Sequence, residues 1–257
     1  MFFSKPGEYP ACGLFSLGHI LAVLFLLIIV VVLLLFLKNL KKETIKNIIK
    51  VSAIIFIVLE VLKIAYRFLT VGGANLNTWV PLYYCSIMIY AAFLAGFFKG
   101  KLELVGLSFL TTGGIVGGFC FLIMPTTSLP EFPLFHFLSL HSLLYHAYFL
   151  FLGLLLIRNN YFVPKLRHFG WYAVLTGIVT LVAFVVDVSY GANLMFLLKP
   201  FNLKPLEVIY NFSRILYMVL FVLIQVIAPF FVITLPLKLI EKIKQKHAKN
   251  NKNIEAN

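Results

Sequence analysis

Cys85 and His141 are the side chains of this sequence best suited to covalent chemistry, because each lies just inside a long apolar stretch. A cysteine thiolate is a strong nucleophile, and a nearby histidine can accept the thiol proton. The two residues lie at a matching depth in their stretches, so a Cys/His pair is geometrically allowed. A thiolate at the acyl boundary of a membrane would face phospholipid ester carbonyls, which favours acyl transfer through a thioester.

Charged side chains inside the apolar stretches form a second group of candidates. Glu60, Lys63 and Arg67 follow the spacing i, i+3, i+7, which places them on one face of a helix. A charge at the centre of a membrane helix costs about 2.5–3.5 kcal/mol, so such residues usually face a bundle interior or a wet cavity. Arg214, inside the last stretch, is the fourth candidate. Alternatively, Glu60 and Lys63 neutralise each other while Arg67 extends to the headgroups.

The other polar residues form no recognisable metal or cofactor motif. The histidines include no HxxxH pair, and GxSxG, HExxH, CxxC and GxxxxGK[ST] patterns are absent. A lone membrane histidine such as His19 or His146 is usually a hydrogen-bonded core residue, and a lone cysteine is usually a small buried hydrophobe. We predict no metal and no cofactor. Three cysteines are also too few for a disulfide framework.

The composition indicates that lipid is the main solvent of these residues. The chain has 257 residues, of which 61% are hydrophobic and 12% are charged, and its mean hydropathy is +0.99. A soluble domain has about 25% charged residues. The net charge of +13 arises from Lys and Arg clusters between apolar runs, a pattern that excludes nucleic acid as the expected partner and favours membrane lipids.

Seven apolar stretches approach or exceed the roughly 20 residues that a membrane-spanning helix needs. They cover residues 14–37, 51–70, 79–98, 102–124, 134–157, 170–190 and 207–236. Lipid leaves backbone groups no partners but each other, so the stretches predict a seven-transmembrane helix bundle. The expected organisation is an extracytoplasmic N-terminus at 1–13, one membrane domain at 14–240 and a basic, disordered cytoplasmic tail at 241–257.

The distribution of basic residues predicts the orientation of this bundle. Sixteen Lys and Arg residues fall in alternate loops and the tail, against three on the opposite side and three inside stretches. Because cytoplasmic loops carry the excess of basic residues, the N-terminus is expected outside and the C-terminus in the cytoplasm. The polar candidates then fall in the outer half of the bilayer.

Four glycines predict a close-packing helix face on the fourth helix: Gly113, Gly114, Gly117 and Gly118.

Two longer motifs resemble a family of bacterial integral membrane proteins. VPLYYCS at residues 80–86 resembles the LPLHLCS signature of the YwaF-like family, and GANLMFLLKP at 191–200 is similar to its GxNYMFLxxKP stretch. His19, Glu60, Pro125 and His141 match in order, so the resemblance covers nearly the whole chain. It implies a multi-pass protein of a bacterial plasma membrane.

The resemblance also implies an activity, since an animal relative of that family is a transmembrane lipid acyltransferase that uses a cysteine on the equivalent helix. It implies Cys85 as the nucleophile, His141 as the base and a phospholipid substrate, with His19, Tyr83 and Asn193 at the binding site. Tyr83 departs from the family pattern, which has His or Gln there. The alternative function is a non-enzymatic transporter or ligand-binding protein that uses a cavity lined by Glu60, Lys63, Arg67 and Arg214.

Overall fold

The computed structural model describes residues 1–201 and 204–255, and within these ranges it contains helices and turns but no strand. The α-helices of the described residues are α1 (Leu17–Phe36), α2 (Lys42–Val71), α3 (Ile87–Phe97), α4 (Lys101–Leu110), α5 (Gly113–Ile123), α6 (Phe137–Arg158), α7 (Phe169–Tyr190), α8 (Lys204–Phe212) and α9 (Arg214–Glu255).

Five helical segments of the described chain are long and apolar enough to cross a membrane. They are Leu17–Phe36, Lys101–Ile123, Phe137–Arg158, Leu166–Tyr190 and Arg214–Ala248. The all-helical, multi-pass fold is therefore confirmed, whereas the number of seven spans and the orientation stay predictions. Of the two other expected spans, α2 carries three charged residues in its apolar part and α3 is short.

The third expected span differs most from the structure. A helix over residues 79–98 is expected, but α3 begins only at Ile87, after a 3-10 turn at Tyr84–Ser86. Pro81 accounts for the start of this irregular stretch, because proline lacks an N–H and disfavours helical geometry in the preceding residue, Val80. The Tyr90 hydroxyl donates to the Pro81 carbonyl at 2.8 Å. The stretch before α3 is consequently an irregular segment at the head of a short helix.

Two further spans are broken. The 102–124 span divides into α4 and α5 at Thr111 and Thr112, whose hydroxyls donate to the carbonyls of Leu107 and Ser108. The last span divides into α8 and α9, and α9 continues through residues 241–255, where a disordered tail is expected. The Lys, Glu, Gln and Ala residues of the tail have good helix propensity. The proposed domain boundaries stay predictions.

Glycines bring the central helices into close contact. A Cβ on Gly106 of α4 would come within 2.4 Å of the Ala91 carbonyl oxygen of α3, and one on Gly118 of α5 within 2.7 Å of the His146 carbonyl oxygen of α6. Side chains from other helices fill the space beside the remaining expected glycines, with Tyr84 against Gly113. The close-packing face of α5 is confirmed, and it needs residues without a Cβ.

Backbone contacts define two ends of the bundle. At the N-terminal end, residues 1–16 lie against the 124–136 loop, where the Cys12 and Gly13 amides donate to the carbonyls of Phe132 and Leu129 at 3.0 and 2.9 Å. At the opposite, basic end, Lys46 Nζ donates to Ala95 O, Phe98 O and Glu103 Oε1. The loops therefore gather at two ends as expected, with most lysines at the basic end.

Candidate functional site

A buried ion pair on α2 lies at the centre of the candidate site. Lys63 Nζ lies 2.6 Å from Glu60 Oε1, with the two residues one helical turn apart. Glu60 is only 5% exposed, whereas the Lys63 side chain keeps 25% of its surface. The attraction between the charges offsets part of the cost of removing them from water. The pair therefore produces a strong local electrostatic field in a largely apolar bundle.

Cys85 lies beside this ion pair. It belongs to the 3-10 turn Tyr84–Ser86 immediately before α3, and it is partly buried. It packs against the buried core that includes Phe56 of α2 and Tyr145 of α6. The cysteine therefore lies at the head of α3 and not in the middle of a long helix.

The opposite wall of the site comes from α6. The His141 and Tyr145 rings stack with centroids 5.3 Å apart, and the Tyr145 ring packs edge-on against Phe56 of α2 at 5.2 Å. Both ring nitrogens of His141 and the Tyr145 hydroxyl are buried, and none makes a hydrogen bond to a described residue. Buried polar groups are normally paired, so unpaired ones indicate a place where a polar ligand or water would bind. We call Glu60, Lys63, Cys85, His141 and Tyr145 the ion-pair cluster.

The predicted Cys85–His141 pair is not a direct hydrogen bond in this structure, since the His141 ring nitrogens have no such partner. Cys85 lies in the 3-10 turn before α3 and His141 on α6. A catalytic contact that is loose without substrate is common in enzymes. The arrangement can supply a thiol, a proton acceptor and a hydroxyl donor around one cation, while the assignment of catalytic roles stays a prediction.

Two other histidines serve packing. The His19 ring accepts the Phe15 amide at Nδ1 and pairs with the Leu122 carbonyl at Nε2, at 3.0 and 2.9 Å. It thereby joins α1 to α5 and has no free ring nitrogen for a ligand. His146 stacks on Phe121 of α5, with ring centroids 3.6 Å apart. The contacts of His19 match the usual role of a membrane histidine as a bonded core residue. His146 Nδ1 pairs with the Ser142 carbonyl at 2.7 Å, whereas its buried Nε2 has no hydrogen-bond partner among the described residues.

The two candidate arginines lie away from the ion-pair cluster. Arg67 pairs with Glu131 of the 124–136 loop at 3.4 Å and lies over the Phe132 ring, 5.4 Å from its centroid. Arg214 is exposed at the start of α9, over the Tyr210 ring at 5.6 Å. The structure therefore brings Glu60 and Lys63 together but does not join either arginine to them. The helical spacing of Arg67 did not reveal its partner, because Glu131 lies on a distant loop.

Asn193 and Tyr83 organise the loop between α7 and α8. Asn193 Oδ1 accepts the amides of Leu198 and Lys199 at 3.0 and 2.9 Å. The backbone N–H of Asn193 donates to the side-chain Oδ1 of Asn77 at 2.7 Å. The Tyr83 hydroxyl donates to the backbone carbonyl of Asn77 at 3.0 Å. Both residues thus bond to Asn77, which lies in the irregular segment before Cys85.

Three residues that sequence reasoning missed connect this neighbourhood to the rest of the bundle. The Tyr84 and Tyr172 hydroxyls lie 2.9 Å apart, and Tyr172 donates to the Gln225 carbonyl at 3.0 Å. One signal could have found Gln225: it lies four residues before Pro229, whose missing N–H leaves that carbonyl without a helical partner.

No metal site accompanies the cluster: the described residues contain no group of three His, Cys, Asp or Glu side chains placed to hold a metal ion. A surface depression of about 250 Å³ lies at the N-terminal end, lined by residues 74–77 and 190–192. It borders the irregular segment before Cys85 from the outside of the bundle.

The helices and the buried charges define a multi-pass helical membrane protein with a polar cluster inside its bundle. The chain belongs to the TMEM164 family, whose family model matches residues 14–235. The match includes every residue of the ion-pair cluster. No curated protein and no solved structure matches the chain.

Proposed function

We propose that the protein is a cysteine-dependent lipid acyltransferase that moves acyl chains of phospholipids. The observation that carries the proposal is the buried Glu60–Lys63 ion pair together with the polar atoms of His141 and Tyr145, which lack partners, in a core that contains Tyr145 and against which Cys85 packs. The resemblance of VPLYYCS and GANLMFLLKP to a family with an acyltransferase relative supports the same chemistry. The site supplies the groups that a thioester mechanism needs.

In the proposed first half-reaction, His141 accepts the thiol proton while Cys85 Sγ attacks the ester carbonyl carbon of a phospholipid. The Tyr145 hydroxyl and the Lys63 ammonium stabilise the negative oxygen of the tetrahedral intermediate. The carbon–oxygen ester bond then breaks, and the leaving oxygen takes the proton from His141. The products are a lysophospholipid and an acyl thioester on Cys85.

The second half-reaction reverses the proton transfers. The hydroxyl of an acceptor lysolipid gives its proton to His141 and attacks the thioester carbon. The carbon–sulfur bond breaks, and Cys85 regains the proton from His141, which completes the cycle without any other reactant. Water in place of the lysolipid would release a free fatty acid, so the same site could act as a hydrolase.

The Glu60–Lys63 pair has a positioning role in this proposal. Glu60 accepts from Lys63 at 2.6 Å and so holds the ammonium group toward the site. A lone buried cation would be costly, and the carboxylate reduces that cost. We further propose that the cluster opens toward the outer leaflet, since it lies nearer the N-terminal end and the basic residues predict that this end is outside.

A test for the covalent intermediate uses the purified protein in nanodiscs with a phospholipid that carries a radiolabelled acyl chain. We expect hydroxylamine-labile label on Cys85 and label transfer to added lysolipid, both lost in Cys85→Ala. Cys12→Ala and Cys120→Ala are the matched controls and should keep both signals. Unchanged acylation in Cys85→Ala would overturn the proposal.

The same samples separate the alternative, a ligand-binding or transport protein without covalent chemistry. In that case no acyl-enzyme forms, Cys85→Ala retains lipid binding, and Glu60→Gln loses it. His141→Gln gives a finer test of the proposed roles. It should slow acylation and deacylation together, because one base serves both half-reactions.

A further inference from the structure

We infer that Gln225 of α9 is a positioning residue that fixes the segment carrying Cys85 from two sides. We call residues 75–86 the Cys85 segment. It precedes α3 and contains only short 3-10 turns, so it lacks the hydrogen-bond ladder that makes a long helix rigid. Its position must therefore come from contacts with neighbouring elements, and two chains of contacts from Gln225 end on it.

The first chain of contacts begins at a proline. Pro229 lies inside α9, and without an N–H it cannot bond the carbonyl four residues earlier, which is that of Gln225. The fully buried Tyr172 of α7 donates its hydroxyl proton to this carbonyl at 3.0 Å. The Tyr172 oxygen can then accept from the Tyr84 hydroxyl, 2.9 Å away. Tyr84 directly precedes Cys85, so the first chain of contacts ends beside the thiol.

The second chain of contacts begins at the Gln225 side chain. Its Nε2 donates to the carbonyl of Met195 at 2.9 Å, in the loop between α7 and α8. Met195 and Phe196 both have positive φ, 53° and 55°, a strained conformation for residues with a side chain that persists only when the surroundings impose it. Asp187 accepts the Leu194 amide at 2.7 Å and holds the loop on its other side.

This loop in turn contacts the Cys85 segment. The Asn193 amide donates to Asn77 Oδ1 at 2.7 Å, and the Phe196 ring packs against Tyr83 with centroids 5.9 Å apart. Both chains of contacts therefore lead from one residue of α9 to the two halves of the Cys85 segment. The position of the thiol therefore depends on the contacts that Gln225 of α9 makes with α7 and with the loop after it.

The test measures the thiol itself and needs no enzymatic activity. Purified protein is treated with a small maleimide, and mass spectrometry follows the labelling of Cys85 relative to Cys12 in the same molecules. Global loosening raises the labelling rates of both cysteines, whereas release of the Cys85 segment raises only the labelling rate of Cys85. We expect Tyr172→Phe and Gln225→Leu each to increase the Cys85-to-Cys12 ratio severalfold. Pro229→Ala, which returns an N–H to the Gln225 carbonyl, should shift the ratio in the same direction.

The matched control is Tyr148→Phe, which removes a tyrosine hydroxyl bonded to Ser52 at 2.9 Å between α6 and α2. It should leave the ratio unchanged. An unchanged ratio in both Tyr172→Phe and Gln225→Leu, with wild-type melting, would overturn the inference. The relevance of this positioning to acyl transfer rests on the proposed function. A shifted ratio in a protein that forms no acyl-enzyme would reject that function and keep the inference.

Discussion

Gly118 of α5 and His146 of α6 lie so close that a Cβ on the glycine would come within 2.7 Å of the histidine carbonyl oxygen. The obstacle is backbone, which cannot rotate away. We therefore expect Gly118→Ala to lower the free energy of unfolding by about 1–3 kcal/mol, the range for overpacking. Thermal unfolding in detergent measures the change. Gly177→Ala on α7, where no atom lies within 4 Å of the new Cβ, is the control and should be neutral or stabilising.

The ion pair predicts an asymmetry between single and double substitutions. Glu60→Ala leaves Lys63 without its partner, and breaking a fully buried pair costs about 3–5 kcal/mol. Lys63 retains some solvent contact, so we expect a smaller loss of about 1–3 kcal/mol. The double variant Glu60→Leu with Lys63→Met should recover most of this stability, because no charge remains buried. Equal melting temperatures for Glu60→Ala and the wild type would contradict the prediction.

Acidification should release the N-terminal segment. His136, which immediately precedes α6, lies 3.0 Å from the Tyr66 hydroxyl and 3.1 Å from the Ser4 carbonyl through Nε2. Burial, opposed by the Ser4 hydrogen bond and aided by the Arg67 charge, lowers the pKa of His136 from its ordinary 6.5. When the N-terminal segment is undocked, the His136 imidazole has its ordinary pKa and binds more protons than in the docked state. Docking is therefore stable above pH 6.5 and weakens as the pH falls below it.

A spin label at Lys5→Cys, in a protein without other cysteines, reports this release as increased mobility between pH 7.5 and pH 5. His136→Asn is the control. Its side chain can still accept the Leu138 amide that His136 Nδ1 accepts, but it cannot titrate and loses the contact with Ser4. The label of this variant should be mobile at both pH values. A rigid label at pH 5 in the spin-labelled protein that keeps His136 would exclude the mechanism.

The orientation prediction follows from the charge distribution and is open to a direct test. Single cysteines at Lys5 and Lys244, each in a cysteine-free protein, are treated with a membrane-impermeant maleimide in intact cells. We expect labelling at position 5 without permeabilisation and at position 244 only after it, since basic loops stay in the cytoplasm. The reverse pattern would place the ion-pair cluster in the cytoplasmic half and remove the outer-leaflet part of the proposed function.

Hydrophobicity alone was sufficient to predict most of the fold. The first, fifth and sixth stretches agree with α1, α6 and α7 within a few residues, because each is an uninterrupted apolar run of spanning length. Length could not reveal the interruptions. The third stretch begins with an irregular segment that contains Pro81 and precedes α3, and the break at Thr111 and Thr112 depends on hydroxyls that bond carbonyls of the preceding turn.

The candidate site was predictable only in part. Helical spacing placed Glu60 and Lys63 one turn apart, where they form an ion pair, while the pairing of Cys85 with His141 stays a prediction. Spacing could not show that Arg67 turns to Glu131, because that contact joins residues 64 positions apart. It likewise could not show that the His19 ring is fully bonded, since one partner is a backbone carbonyl of α5.

The docking of the N-terminal segment has a consequence for biosynthesis. Ser4 is hydrogen-bonded to His136, which is 132 residues later in the chain, and the other partners of the segment lie in the 124–136 loop, on α2 and at the start of α6. The segment therefore leaves the ribosome long before its binding surface exists, and contacts so distant in sequence form late. Ser4 must wait, undocked, while about half of the chain is inserted, so closure of this end reports that α1, α2 and α6 have assembled correctly.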